Sequence, residues 1–225
     1  MSPVTEFKQA EREHTSFLAA LEKKTLIGIA KRLPAWVNSD HLTALGFVAL
    51  LVAGAAYWYS REQPLALVAV MFLLAVNWFG DSLDGTLARV RNRQRPRYGF
   101  YVDHILDNIG MTVLMAGIAL SGYISGKVAA AFLISYLLLS IEIFLATYTV
   151  GKFHLSHFGF GPTELRILLC IGNLVILLQG PEVLIFRKSM MLFNVGFSIG
   201  AAATLAILLL STVRHTVQLY KEEPL

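Results

Sequence analysis

Residues 81–107 read DSLDGTLARVRNRQRPRYGFYVDHILD, which sets Asp81, Asp84, Asp103 and Asp107 inside two otherwise apolar stretches separated by an arginine-rich loop. Both stretches are long enough to cross a bilayer. An ionised Asp at the centre of a membrane helix costs roughly 2.5–3.5 kcal/mol, so four of them require a compensating partner. A pair of divalent metal ions supplies it, because four hard oxygen donors suit Mg²⁺ or Mn²⁺, whereas zinc prefers His and Cys.

The rest of the chain agrees with a membrane setting. Its 225 residues are 56% hydrophobic and only 15% charged, with a mean hydropathy of +0.60, outside the usual soluble range. Six apolar stretches, roughly 41–60, 64–88, 99–122, 128–150, 164–181 and 189–213, each approach the ~20 residues that a helix needs to cross a ~30 Å hydrocarbon core. Turn and charge signals separate them, among them the basic run from Arg89 to Arg97 and the segment from Gly151 to Pro162. The expected fold is an all-α integral membrane protein of six transmembrane helices with both termini on one side. Of its Lys and Arg residues, fifteen fall on the side of the termini and four on the other, which makes the termini cytoplasmic by the positive-inside rule. Residues 15–33 carry charges that prevent spanning. They read as an amphipathic juxtamembrane helix, with Phe17, Leu18, Leu21, Leu26 and Ile29 broadly on one side, opened by Thr15 or Ser16 and closed before Pro34. The alternative is a solvated helix docked on the protein itself. The division is then a cytoplasmic segment 1–40, a catalytic domain 41–213 and a cytoplasmic tail 214–225.

Several classes are disfavoured. The polar N-terminus has no apolar region of the signal-peptide kind, so no cleavable signal is expected. Cys170 is the single cysteine, which precludes an intramolecular disulfide. The net charge of +4 and pI near 9.2 come from arginines beside apolar spans, without a nucleic-acid-reading motif, so membrane-surface electrostatics account for the excess and no nucleic-acid partner is expected. A small transporter could also use intramembrane carboxylates, but it would place them near the midplane on broken helices.

Helical spacing organises the chemistry. Asp81, Asp84, Gly85 and Ala88 form one stripe at the end of the second span, and Gly99, Asp103 and Asp107 stack at four-residue intervals at the start of the third. The short basic loop lets the two stripes face each other. Paired ions about 3.5–4 Å apart can clamp a diphosphate and stabilise charge on a leaving oxygen. Gly85, Ala88 and Gly99 let a nucleotide or pyrophosphate approach the helices closely. Arg89 can contact phosphate oxygens in bidentate fashion, and one carboxylate can accept the proton of an attacking hydroxyl.

The run Asp81-x2-Asp84-Gly85-x2-Ala88-Arg89-x9-Gly99-x3-Asp103-x3-Asp107 resembles the signature of the CDP-alcohol phosphotransferases, integral membrane enzymes that make glycerophospholipids, at every fixed position. The resemblance implies a six-helix fold with an N-terminal juxtamembrane helix. It implies that Asp81, Asp84 and Asp103 are metal ligands, that Asp107 is both ligand and catalytic base, and that Gly85, Ala88, Arg89 and Gly99 line the CDP site. The implied reaction transfers a phosphatidyl or phosphoalcohol group from a CDP-linked donor to a hydroxyl acceptor with release of CMP, using two Mg²⁺ or Mn²⁺ ions. The implied setting is a homodimer among membrane lipids, with the active site at the cytoplasmic face of the cell inner membrane.

The remaining signals concern the loop arginines and the acceptor. Arg91, Arg93, Arg95 and Arg97 read first as topogenic and headgroup-contacting, with Arg95 the one expected to touch a donor phosphate. The segment from Asn38 to Thr43 partly resembles a P-N-x-L-T run of the same family but departs from it by insertion; it reads as a helix cap provided by Ser39 or Asp40. Glu142, Lys152, Glu164 and Arg166 are the acceptor-site candidates. Glu142 stands between a polar inter-helix contact and a place in the acceptor cavity, and Thr163 with Glu164 also fits a helix N-terminus. His154 and His157 read as interfacial. Thr147-Tyr148-x-x-Gly151 followed by Thr163-Glu164-Leu165-Arg166-Ile167 is also similar to the choline/ethanolamine phosphotransferase branch, with Arg where that branch has Gln. An acceptor that carries phosphate needs a cation here, and Arg166 and Lys152 are available. CDP-diacylglycerol is the preferred donor; the alternative is a CDP-aminoalcohol with diacylglycerol as acceptor.

Overall fold

The computed structural model describes residues 11–13, 19–150, 152–154, 161–185 and 187–223, the side chains of 11–13, 19–23, 152–154 and 185 excepted. Thr15, Ser16, Phe17, Leu18 and His157 lie outside the described residues, as do the side chains of Leu21, Lys152 and His154. The described residues form seven helices: α1 (Ala19–Arg32), α2 (Ser39–Tyr59), α3 (Ala66–Val90), α4 (Pro96–Leu120), α5 (Gly126–Val150), α6 (Pro162–Gln179) and α7 (Leu192–Glu222). The last six are long and apolar enough to cross a membrane, as the hydropathy pattern requires. Two short ladders accompany them among the described residues. A parallel one joins β1 (Glu11–Glu13) to β2 (Lys152–His154), and an antiparallel hairpin of β3 (Glu182–Ile185) and β4 (Lys188–Met191) precedes α7.

The first five spans begin and end within a few residues of the hydropathy boundaries, and the sixth departs from them. The hairpin occupies 182–191, so α7 starts at Leu192, and it continues through Arg214 and His215 to Glu222. Polarity alone does not end a helix, and the first proline after Leu192 is Pro224. Asn38 is the N-cap of α2, in place of Ser39 or Asp40. Its backbone is extended (φ −120°, ψ 174°), and its side chain accepts the His41 N–H at 3.0 Å, whereas Ser39 is already helical. Pro96 opens α4 from the first turn, where its missing N–H costs nothing.

Helix α2 is the centre of the packing and lies along both α3 and α4. Small residues permit the approach. A Cβ on Gly80 would lie 2.5 Å from the Leu42 carbonyl oxygen, and one on Gly117 would lie 2.0 Å from the Gly54 carbonyl oxygen. α5 pairs with α7, and α6 leans on α3. The larger apolar core gathers Tyr57, Leu74, Leu114, Ile118, Phe132 and Phe197 with their neighbours at the end of the bundle remote from the carboxylates. That end is also fastened by polar contacts from Tyr57 Oη to Asn173 Oδ1 and from Tyr123 Oη to the Ser60 carbonyl, each 2.9 Å. A smaller core of Leu26, Ala30, Leu42, Leu83 and Leu87 docks α1 onto α2 and α3. Arg91, which ends α3, completes this docking by donating to the carbonyl oxygens of Leu33, Pro34, Ala35 and Val37. The carboxylates lie between the two cores.

Candidate active site

The two halves of the Asp pattern meet as their spacing requires. One carboxylate oxygen from each of Asp81, Asp103 and Asp107 falls within 4.8 Å of the other two, so α3 and α4 bring them to one point among the described residues. On an octahedral Mg²⁺ with oxygens at about 2.1 Å, cis ligands stand about 3.0 Å apart and trans ligands about 4.2 Å, so the three carboxylates are near enough to share an ion once their side chains adjust. The donors are all hard oxygens and fit Mg²⁺ or Mn²⁺. Asp84 borders the same cleft but is turned toward α2, where its Oδ2 lies 2.5 Å from Thr43 Oγ1.

The cleft takes in residues that spacing did not reveal. Thr43 and Asn77 both line it. Asn77 is buried and donates from Nδ2 to the Gly46 carbonyl at 2.9 Å, while its Oδ1 accepts from Arg166 Nε at 2.8 Å. Arg166 Nη2 then reaches Asp81 Oδ2 at 2.5 Å, with side-chain exposures of 14% for Arg166 and 22% for Asp81. A guanidinium from α6 thus stands at the edge of the carboxylate group. The signal for Asn77 was present in the sequence as an uncapped polar residue in mid-span, four positions before Asp81 on the same face. The signal for Thr43 was weaker, because a threonine hydroxyl within a helix has a local partner in the carbonyl four residues back, here that of Ser39 at 3.0 Å.

The other expected residues are distributed as follows. Arg89 folds back over its own helix and donates to Thr86 Oγ1 at 3.1 Å, and its Nη1 lies 3.4 Å from where a Cβ on Gly85 would be, so the bare Gly85 surface accommodates this guanidinium. Gly99, in the first turn of α4, has nothing within 4 Å of a Cβ built on it. Ala88 borders a second cavity of about 350 Å³, together with Arg91, Arg93 and Arg95 and the start of α2 at Asn38. Arg95 is not drawn to the carboxylate point; it pairs with Asp40 and lies over the Tyr98 ring at 4.2 Å. Glu142 is likewise held elsewhere. Its Oε1 lies 2.8 Å from Ser211 Oγ and 2.7 Å from His215 Nδ1, which is the polar inter-helix contact between α5 and α7. Glu164 accepts the Gly161 N–H at 2.9 Å, the helix-start role that its position suggested. The second oxygens, Glu142 Oε2 and Glu164 Oε1, are buried without a hydrogen-bond partner among the described residues.

The arrangement is suited to holding cations between a polyanionic substrate and carboxylate ligands, with a carboxylate left to take a proton. Comparison with known proteins points the same way. A 119-residue stretch is 32% identical to the archaetidylinositol phosphate synthase of Pyrococcus horikoshii, covering 52% of this chain and 60% of that protein. The chain therefore spans less than two thirds of the length of the curated relative it matches. The family profile of the CDP-alcohol phosphatidyltransferases matches residues 36–212, from the residues before α2 to within α7 and across every residue of the cleft. With that match over most of its length, this multi-pass membrane protein belongs to the CDP-alcohol phosphatidyltransferase family.

Proposed function

We propose that this protein is a phospholipid-synthesising transferase that moves the phosphatidyl group of CDP-diacylglycerol onto the hydroxyl of a small polar alcohol bearing a phosphate, and releases CMP. The observation that carries this reading is the Arg166 guanidinium at Asp81, a cation at the edge of a triple carboxylate point. A phosphorylated acceptor needs such a cation beside the reacting centre. The name of the P. horikoshii relative, which gives a lipid joined to inositol phosphate as its product, supports an acceptor of that chemistry.

In this reading Asp81, Asp84, Asp103 and Asp107 would hold two Mg²⁺ or Mn²⁺ ions, whose charge would offset that of the donor diphosphate and of the departing CMP. Asp107 accepts the proton as the acceptor hydroxyl oxygen bonds to the phosphatidyl phosphorus and the bond from that phosphorus to CMP breaks. Ala88 and Gly99 leave room for the nucleotide, the second cavity has the volume a nucleoside requires, and Arg89 beside Gly85 contacts phosphate oxygens. Arg95 reaches the donor on leaving Asp40. Arg166 and Lys152 receive the acceptor's phosphate, and Glu142 and Glu164, whose second oxygens are buried without a hydrogen-bond partner among the described residues, contact its hydroxyls once the acceptor opens that region. The bundle sits with its termini and active site toward the cytoplasm of the cell inner membrane, as a homodimer, with 1–40 and 214–225 flanking the catalytic domain 41–213. Residues 214–222 prolong α7 in that tail.

The reverse assignment, CDP-choline or CDP-ethanolamine with diacylglycerol, gives Arg166 no acceptor phosphate. Purified protein supplied with Mg²⁺ or Mn²⁺ decides between them by CMP release. CDP-diacylglycerol with inositol phosphate or glycerol 3-phosphate should yield CMP, and unphosphorylated alcohols much less. CMP only from CDP-aminoalcohols with diacylglycerol would overturn the reading.

A further inference from the structure

Arg166 stands where a metal ligand and a cation meet, and its geometry is tied down on both sides. Nη2 lies 2.5 Å from Asp81 Oδ2, and Nε is fixed 2.8 Å from Asn77 Oδ1, which the Gly46 carbonyl holds in turn through Nδ2. Asp81 is also one of three carboxylates whose oxygens gather within 4.8 Å. Like charges that close repel strongly in a partly dry site, and an arginine that cannot lose its proton is a permanent remedy. A divalent ion at Asp81 competes with that arginine for the same oxygens.

We propose that Arg166 is a built-in counter-ion of the carboxylate point. It neutralises Asp81 when the ligand set is free of metal, and it gives way there when a divalent ion binds. The Asn77 contact, made through Nε rather than Nη2, keeps the guanidinium beside the site after it leaves Asp81. The inference rests on the metal-dependent reading above and adds a coupling to it. Metal binding and the availability of Arg166 to an anionic acceptor become linked, and by reciprocity each favours the other.

The test uses full-length protein in detergent, stripped of metal, without any substrate. Mn²⁺ binding is measured by titration calorimetry or electron paramagnetic resonance for the wild type, Arg166→Ala, Arg166→Gln and Arg166→Lys. Thermal melting is recorded in EDTA and again in Mn²⁺. Removing the competing charge should tighten Mn²⁺ binding by about tenfold in the Ala and Gln variants, within the usual range of linked binding effects, while Lys stays near the wild type. The neutral variants should melt well below the wild type in EDTA and recover most of the difference in Mn²⁺. Equal or weaker Mn²⁺ binding in both neutral variants would overturn the proposal, because it would make Arg166 a support for the ligands rather than their competitor. Wild type that binds no Mn²⁺ in a manner lost in Asp81→Asn would instead bring down the metal-dependent reading itself. Having both neutral variants guards against one of them failing to fold.

Discussion

Gly80→Ala tests whether the close crossing of α2 and α3 sets the catalytic geometry. The new Cβ would stand 2.5 Å from the Leu42 carbonyl oxygen, 2.6 Å from Gly46 N and 2.8 Å from Gly46 Cα, all backbone atoms of α2 that cannot rotate away. Ordinary contact begins at 3.4 Å, so relieving the worst clash from 2.5 to 3.4 Å moves the helices apart by about 0.9 Å. Overpacking of this kind costs about 1–3 kcal/mol. The displacement falls next to Asp81 and stretches the 2.5 Å contact between Thr43 and Asp84 beyond hydrogen-bonding distance. Misplacing a reacting group by about 1 Å lowers turnover on the order of 100-fold. Thermal melting and CMP release of the purified variant measure both effects. Gly196→Ala is the control, since Gly196 is exposed on α7 with nothing within 4 Å of the added methyl, and it should be neutral or slightly stabilising. If Gly80→Ala melts and turns over like the wild type, the α2–α3 crossing does not set the position of the carboxylates.

Asp107→Asn should lower CMP formation by at least the 10²–10⁴-fold typical of a lost general base, about the range expected before any loss of metal, while the protein remains folded in detergent; retained turnover removes the base assignment. EDTA should abolish turnover and Mg²⁺ or Mn²⁺ restore it, and activity undiminished by prolonged chelation would contradict metal dependence. His215→Ala removes one of the two partners of Glu142, the one at 2.7 Å, and should cost about 1–3 kcal/mol of stability, read as a lower melting temperature with unchanged KM for the donor. Arg91→Ala frees the connector between α1 and α2 from its four carbonyl contacts and should raise the donor KM more than it lowers kcat, because Arg91 itself and Asn38, where that connector meets α2, line the cavity beside Ala88. Arg91→Lys, which can keep part of this bonding, should recover part of the affinity, and equal KM in all three proteins would remove Arg91 from this role.

The parts of the molecule that were legible in the sequence are those governed by periodicity. A carboxylate every three or four residues on an apolar helix has one face to occupy, so the meeting of Asp81 with Asp103 and Asp107 follows from the spacing and the short loop between α3 and α4. Hydropathy counts reach the six spans for the same reason, since the bilayer sets one length for all. Contacts between elements far apart in the chain carry no such period. Arg166 reaches Asp81 across 85 positions, and nothing local to α6 points to it beyond being a charge at a helix start. Asp84 turns to Thr43 on α2 because the glycine crossing brings α2 close enough, a fact that resides in Gly46 and Gly80 rather than in the Asp pattern. Hydropathy marks where the apolar span stops, at about 213, and carries no signal for where the helix itself stops, so the continuation of α7 to Glu222 lies outside what it can reach.

The uneven distribution of the cores bears on how a two-tailed lipid gets in. α5, α6 and α7 bury their side chains chiefly through Ala129, Phe132, Ser135, Asn173, Ile176, Phe193, Phe197 and Ala201, toward the end remote from the carboxylates, with Ala146 and Leu169 the buried residues nearer to them. Nearer the carboxylates, Ile141, Leu145 and Leu168 present more than half of their surface outward. The buried contacts of these three helices thus gather mostly at one end, and for the donor proposed here the acyl chains can stay in the bilayer while the diphosphate reaches the carboxylates. Substrate supply is then a matter of molecules per area of membrane rather than per volume of solution: diluting the donor among inert lipids slows the enzyme even when the total amount in the tube is unchanged.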